Sequence, residues 1–239
     1  MGRTGKGKQP NMISLKRAIL NRKAEGKIPI ISEIKVYSPK EGELIGKRDI
    51  ERLAKEMESA GVVGISVVTE GKYFRGNLNI LKKVRQSVSL PVLRKDFITS
   101  KSQLDESKQA GADINLLIVA KTPVNLLKEL ISYSHKLKME VLVEIHTEDE
   151  LNTVKDLDVD ILGINNRDIL RLEMDDGNVS TTEKIAKNIK SNIPIISESG
   201  IKTKEDIKRA ISVVDGVLIG TAILKSENIG EKIKWLMSG

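Results

Sequence analysis

Apolar residues recur along this chain in two alternating rhythms. Over residues 49–61, DIERLAKEMESAG, they return every third or fourth position at Ile50, Leu53, Ala54, Met57 and Ala60, the spacing of one helical face. Gly61 supplies the stop. Residues 64–69, GISVVT, follow as a short apolar run without that spacing. The succession then repeats. Helical patterns at 78–88, 101–111, 123–138, 147–157, 179–190 and 203–211 are each followed by an apolar run, at 91–97, 112–120, 140–146, 159–166, 193–200 and 215–220. A first strand, PIISEIK, occupies 29–35, and a last helix covers 228–238. The strands are rich in Ile and Val and mostly lack polar alternation. Such runs, joined by helices, are parallel strands covered on their outer face.

Eight units of this size predict a closed (β/α)8 barrel, an α/β fold. The competing arrangement is a doubly wound open sheet. Its dinucleotide form is disfavoured because residues 38–46, SPKEGELIG, carry no G-x-G-x-x-G. No sequence repeat accompanies the periodicity, which argues against a solenoid. One extra helix, 12–26, precedes the first strand and either covers an end of the barrel or flanks its mouth. The expected organisation is a basic tail and extra helix over 1–28, then one barrel over 29–239. The first residues, with Arg3, Lys6 and Lys8 among glycines, read as a disordered end.

The strands finish in charge. Residues 92–97 run VLRKDF, and side-chain alternation puts Leu93, Lys95 and Phe97 on one face and Asp96 on the other, toward the helix layer or a neighbouring strand. Glu33 and Lys35 close the first strand, Glu144 the fifth, Asn165 the sixth and Glu198 the seventh. In a barrel these ends converge on one mouth, where catalytic groups sit. One lysine or glutamate there reads equally well as a structural ion pair. The pattern over several strand ends favours acid–base chemistry, because opposed acids and bases separate each other's pKa values. Ser199 and Gly200 follow strand seven, and Gly220 and Thr221 follow strand eight, where such barrels commonly hold phosphate. Ser38 is a further donor candidate. These features point to a small phosphorylated substrate.

Composition narrows the classes. The net charge is +7, but lysines are spread along the chain and aromatic residues make up 3%, which disfavours a nucleic-acid stacking platform. There is no cysteine, which removes disulfide and thiolate chemistry. With two histidines and no H-E-x-x-H, a metal site built by the protein is not expected. No apolar run reaches the roughly 18 residues of a membrane span, and a cytoplasmic location is the expectation. Trp235 is expected to pack the last helix on the barrel. Oligomeric state is not legible.

Taken in order, these motifs resemble the indole-3-glycerol phosphate synthase family. The matching segments are EIKVYSP at 33–39, LRKDF at 93–97, the strand holding Glu144, GINNRD at 163–168 and SESGI at 197–201, with TEGKYFRG at 69–76 resembling the family's loop after strand two. Val36 and Tyr37, and Thr221 and Ala222, depart from the usual pattern. The resemblance implies conversion of 1-(2-carboxyphenylamino)-1-deoxyribulose 5-phosphate into indole-3-glycerol phosphate, CO2 and water, with no cofactor or metal. It implies Lys95 as general acid and Glu144 as a later general base. Lys35 would hold the departing carboxylate or donate to the leaving hydroxyl. Glu33 and Glu198 would orient the lysines and sugar hydroxyls, and Asn165 would hold a hydroxyl. Phosphate would be held by Lys35, Ser38, Ser199, Gly200, Gly220 and Thr221, and an apolar wall for the anthranilate ring formed by Phe74, Phe97 and Leu117. The nearest alternative, a phosphosugar isomerase on the same fold such as phosphoribosylanthranilate isomerase, would call for a cysteine–aspartate pair.

Overall fold

The computed structural model describes residues 13–167, 177–189 and 192–238. The basic tail, Asp168 and the end of the helical pattern at 190 fall outside them. Eight strands close a parallel barrel: β1 (Ile30–Ile34), β2 (Gly64–Val68), β3 (Val92–Lys95), β4 (Ile114–Ile118), β5 (Glu140–Ile145), β6 (Ile161–Asn165), β7 (Ile195–Glu198) and β8 (Gly216–Ile219). Closure is made by β1, which pairs with β2 on one side and β8 on the other. The α/β barrel expected from the pattern is therefore the fold.

The helices begin and end where short-range chemistry dictates. In α2 (Ile50–Ser59), the Asp49 carboxylate accepts the Arg52 N–H and buries Leu53, Ala54 and Met57. Ser100 and Gln103 form a reciprocal capping box on α4 (Lys101–Ala110), as Thr203 and Asp206 do on α8 (Lys204–Ile211). Between them in the cycle lie α3 (Leu78–Ser87), α5 (Val124–Lys136), α6 (Glu148–Val154) and α7 (Ser180–Ala186), with α9 (Thr221–Leu224) and α10 (Ile229–Met237) after β8. No helix among the described residues is long and apolar enough to cross a membrane.

Strand alternation divides the apolar residues into two bodies. Ile30, Ile34, Val92, Leu117, Val143 and Ile164 face outward into the large core beneath the helices. Ile31, Leu93, Ile114, Leu116, Ile118, Leu142, Ile161, Ile196 and Leu218 fill the barrel. The extra helix α1 (Leu15–Ala24) closes the floor: its Leu15 and Ile19 join the interior cluster. Its first turn is tied to Glu140 at the start of β5, whose carboxylate accepts from Ser14 Oγ, from Leu15 N–H at 2.8 Å and from Lys16 N–H at 3.1 Å. Of the two placements open to this helix, it covers an end of the barrel, the one where the strands begin.

Two features were not expected. A short antiparallel hairpin, Tyr37–Ser38 with Gly42–Glu43, follows β1. Trp235 does not pack α10 onto the barrel; that work falls to Ile229, Ile233 and Leu236, three to four residues apart. Trp235 lies on the opposite face, exposed, with Lys204 and Lys232 at 5.1 and 4.1 Å from its ring centre.

Candidate active site

At the C-terminal ends of the strands, alternation turns Glu33, Lys35, Lys95, Glu144, Asn165 and Glu198 to the barrel axis, above the apolar filling. The Lys95 ammonium stands between two carboxylates, 3.4 Å from Glu144 Oε2 and 3.7 Å from Glu198 Oε2. Lys35 Nζ lies 3.5 Å from Glu33 Oε1. The Lys95 side chain is 18% exposed and those of Glu144 and Glu198 are 0% exposed, so the lysine reaches the cavity and the two acids lie beneath it.

Burial makes these charges interdependent. Burial opposes ionisation of Glu144, but the Lys95 charge, the adjacent His146 and Asn165 outweigh it and hold the carboxyl well below the usual carboxylate range. Burial pushes Glu198 upward; Lys95 opposes this, and the neighbouring Glu144 and Glu33 charges add to the rise. Two acids on one lysine are thus driven in opposite directions, the pattern that separates an acid from a base.

Two cavities meet here. The larger, about 370 Å³, is walled by Glu33, Lys35 and Lys95 on one side and by Ser199, Gly200, Gly220 and Thr221 on the other, with Lys202, Lys225 and Lys232 toward its rim. The smaller, about 50 Å³, is apolar on one side, with Phe74, Phe97, Leu116 and Ile118, and carries Lys35, Lys95 and Asn165 on the other. The glycine-rich ends of β7 and β8 and the start of α9 therefore face one space. Ser199 and Gly200 both take left-handed backbone, φ 66° and 73°. For Ser199 that geometry costs about 1–3 kcal/mol and marks a site where position matters more than local stability.

Two expected residues are elsewhere. Leu117 points outward into the core under the helices, because it is one residue out of phase with Leu116 and Ile118; those two supply the apolar wall instead. Ser38 is buried in the hairpin, where its hydroxyl accepts the Glu41 N–H at 3.4 Å, and it lines neither cavity. Asp96 faces Arg94 and Thr69, accepting from Arg94 Nη2 at 3.0 Å and Thr69 Oγ1 at 2.6 Å, which braces the end of β3 behind Lys95.

Sequence reasoning missed several contributors. Arg167 lines both cavities and stands in the quoted GINNRD run, where a third polar residue after a strand end was the available signal. Glu70 accepts the N–H groups of Lys72, Tyr73 and Phe74, folding the loop that delivers Phe74. Asn166 ties three places together: its amide donates to Ser197 Oγ and to the Glu198 and Ser199 carbonyls, and its oxygen accepts from Thr182. Gly163 and Gly220 make room for acids. A Cβ at Gly163 would fall inside 3.0 Å of Glu198 Oε1, and one at Gly220 inside 3.0 Å of Glu33 Oε1. Neither role is visible without knowing which strands are neighbours.

The site's composition agrees with what the whole sequence matches. A family model described as indole-3-glycerol phosphate synthase matches residues 3–236. The chain is 48% identical to the indole-3-glycerol phosphate synthase of Pyrococcus furiosus over 223 residues, covering 93% of this chain and 96% of that one. Against the synthase of the same name from Thermococcus kodakarensis it is 45% identical, with 95% and 98% covered. Among solved structures, the tryptophan synthase alpha subunit of Legionella pneumophila superposes with a TM-score of 0.67 at 14% identity, covering 94% and 97%, a likeness of fold. With a family model matching nearly the full length and relatives of that name up to 48% identical, the chain belongs to the indole-3-glycerol phosphate synthase family.

Proposed function

We propose that this chain closes the indole ring of 1-(2-carboxyphenylamino)-1-deoxyribulose 5-phosphate, releasing CO2 and water to give indole-3-glycerol phosphate. The observation that carries the reading is the position of Lys95, exposed to the cavity and backed by two buried carboxylates at 3.4 and 3.7 Å. In that setting the ammonium protonates the substrate ketone oxygen as the aromatic carbon attacks the ketone carbon. The new C–C bond forms, the ring carboxylate leaves as CO2, and the former ketone oxygen remains as a hydroxyl. Its departure as water needs one proton delivered to oxygen and one removed from the ring system.

Lys35, paired with Glu33, holds the carboxylate before it leaves and then faces the departing hydroxyl. Glu144 accepts the later proton: once Lys95 has given its own away, the neutral amine no longer offsets the Glu144 charge, and the carboxylate becomes a stronger base. Asn165 and Glu198 orient hydroxyls. The phosphate takes the end of the larger cavity formed by Ser199, Gly200, Gly220 and Thr221, within reach of Lys35. Phe74, Phe97, Leu116 and Ile118 enclose the aromatic ring. The chemistry proposed uses side chains alone, and a cytoplasmic enzyme of biosynthesis is the setting it suits.

The test is direct. Purified protein is incubated with the carboxyphenylamino-deoxyribulose phosphate, without added metal, and indole fluorescence is followed. Appearance of product at enzyme-dependent rate is expected; a folded protein that leaves the substrate untouched overturns the reading.

A further inference from the structure

Two fully buried carboxylates flank Lys95 at nearly the same distance, 3.4 and 3.7 Å. Two buried carboxylates share this one ammonium, with Glu33 close by as a third acid, and burial with like charge favours keeping a proton on one of the pair. Lys95 alone gives no strong reason for choosing either. The asymmetry lies on the far side of the pair. His146, two residues beyond Glu144 on the same face of the chain, places Nε2 3.2 Å from Glu144 Oε1, the oxygen that Lys95 does not pair with. Its Nδ1 lies 3.5 Å from Glu150 Oε2 on α6, and its backbone N–H donates to that same oxygen at 2.5 Å. The imidazole is therefore wedged between two carboxylates, one fully buried and one at the edge of solvent, at side-chain exposures of 0% and 18%. Both contacts are at ion-pair distance without the alignment of directed hydrogen bonds.

We propose that His146 is a positioning residue: clamped by Glu150, it assigns the negative charge to Glu144 and leaves the shared proton on Glu198. The inference rests on the ring-closure reading for its kinetic consequence, but the charge assignment itself does not. The groups facing this cluster are Glu144 near the end of β5, just before His146, Glu150 on α6, and, across Glu144, Lys95 on β3, Asn165 on β6 and Glu198 on β7, with Glu33 on β1 behind Glu198. Every acid that touches the imidazole favours its charged form. Burial lowers the His146 pKa, and Glu144 and Glu150 more than reverse this, raising it to about 9. Glu198 feels the His146 charge too, but more weakly than it feels the two anions Glu144 and Glu33, whereas Glu144 has the imidazole in contact at 3.2 Å.

The arrangement has a chemical purpose. A neutral Glu198 can donate a hydrogen bond or a proton, whereas an ionised Glu144 can only accept. With His146 charged, Glu144 is not tempted to take the Lys95 proton before the substrate does. After Lys95 has donated, the imidazolium is the remaining cation beside Glu144, so the two acids keep their separate roles through the second stage.

The chain has two histidines, so nitrogen-15 NMR of imidazole-labelled full-length protein resolves both, and a His135→Gln variant assigns them. His146 is expected to be an imidazolium at pH 7 and to titrate near pH 9. Glu150→Gln should move that titration down by at least about one pH unit, by loss of an adjacent charge. A neutral His146 at pH 7 in the native protein, or a titration unmoved by Glu150→Gln, overturns the proposal whether or not the protein turns over the substrate. In kinetics, His146→Gln should lower kcat about 10-fold with KM changed less than about 3-fold, and shift the acidic limb of the pH–kcat profile upward. A profile superposable on the native one also overturns it. His146→Asn, smaller but still polar, guards against a variant that fails to fold, and is expected to show the same shift.

Discussion

Strand β5 carries two buried glutamates four residues apart, and they lead different lives. Glu140, at the floor, accepts three hydrogen bonds from the first turn of α1, all from uncharged donors. Burial dominates there, and the carboxyl is pushed above its usual range despite those bonds from Ser14, Lys16 and Leu15. Glu144, at the mouth, meets the Lys95 and His146 cations and is held below it. Neutral donors satisfy a carboxylate without lending it charge; a cation stabilises its ionised form and can also leave, by giving up a proton. The floor glutamate is a fastener; the mouth glutamate is the one proposed as a reagent. Residue type is the same and Glu144 is the more deeply buried, yet it is the one held low; the partner decides.

The comparison breaks most visibly at Lys95. Lys95→Met keeps the apolar stem and removes the proton, and kcat should fall at least about 100-fold while a product analogue still binds. Single-turnover kinetics with Glu144→Gln should slow a later step instead. Near-normal kcat in Lys95→Met would make the lysine structural and Lys35 the leading acid.

At the floor the effect should appear in stability alone. Glu140→Gln replaces an acceptor-only group with one that presents donors to the α1 amides, and should cost about 1–3 kcal/mol in denaturant unfolding with kcat unchanged. A loss of activity without loss of stability would show that the two ends of β5 are coupled.

Gly163→Ala sharpens the mouth side. The added methyl would occupy the place of Glu198 Oε1 and displace that acid from Lys95. A fall of about 10-fold in kcat is expected, since small misplacements of catalytic groups are costly. Unchanged kinetics in the folded variant would remove Glu198 from the working set.

The smallest effect is one of sign. Glu144 has a folded pKa lowered from 4.5 to about 2, so its stabilising contribution is present above 4.5 and lost as pH falls through about 2. Glu140 has a raised folded pKa, so its contribution is fully present below 4.5 and lost as pH rises through the folded value. Unfolding free energies of the native protein relative to Glu144→Gln and Glu140→Gln should therefore diverge in opposite directions on acidification. Parallel curves would contradict the assignment of partners.

What the sequence disclosed divides along similar lines. The barrel was legible because eight Ile/Val-rich runs alternate with helical spacing, a signal carried within each segment. The mouth was legible because polarity resumes at the same end of several strands, as at Glu33, Lys95, Glu144 and Glu198. Contacts between segments were not. Leu117 was misassigned because a continuous apolar run such as INLLI does not reveal which alternate residues face inward. His146 has no legible role in the sequence because its meaning depends on Glu150, supplied by the next helix. Gly163 reads as a turn signal until β7 is placed beside it. Trp235 was assigned by bulk, whereas the Ile229, Ile233 and Leu236 phase decides which face of α10 is buried.

The floor plug has a consequence for the order in which the molecule is made. Helix α1 leaves the ribosome before every strand of the barrel, yet its anchoring carboxylate lies about 125 residues further along the chain. At roughly 5–20 residues per second, that is on the order of 6–25 s of synthesis. Until β5 emerges, Leu15 and Ile19 have no landing site at Glu140, and the nascent β1, β2 and β3 offer an unsealed apolar end. A helix translated ahead of the whole barrel is thus obliged to be among the later ones to dock, and it waits on the barrel's middle strands.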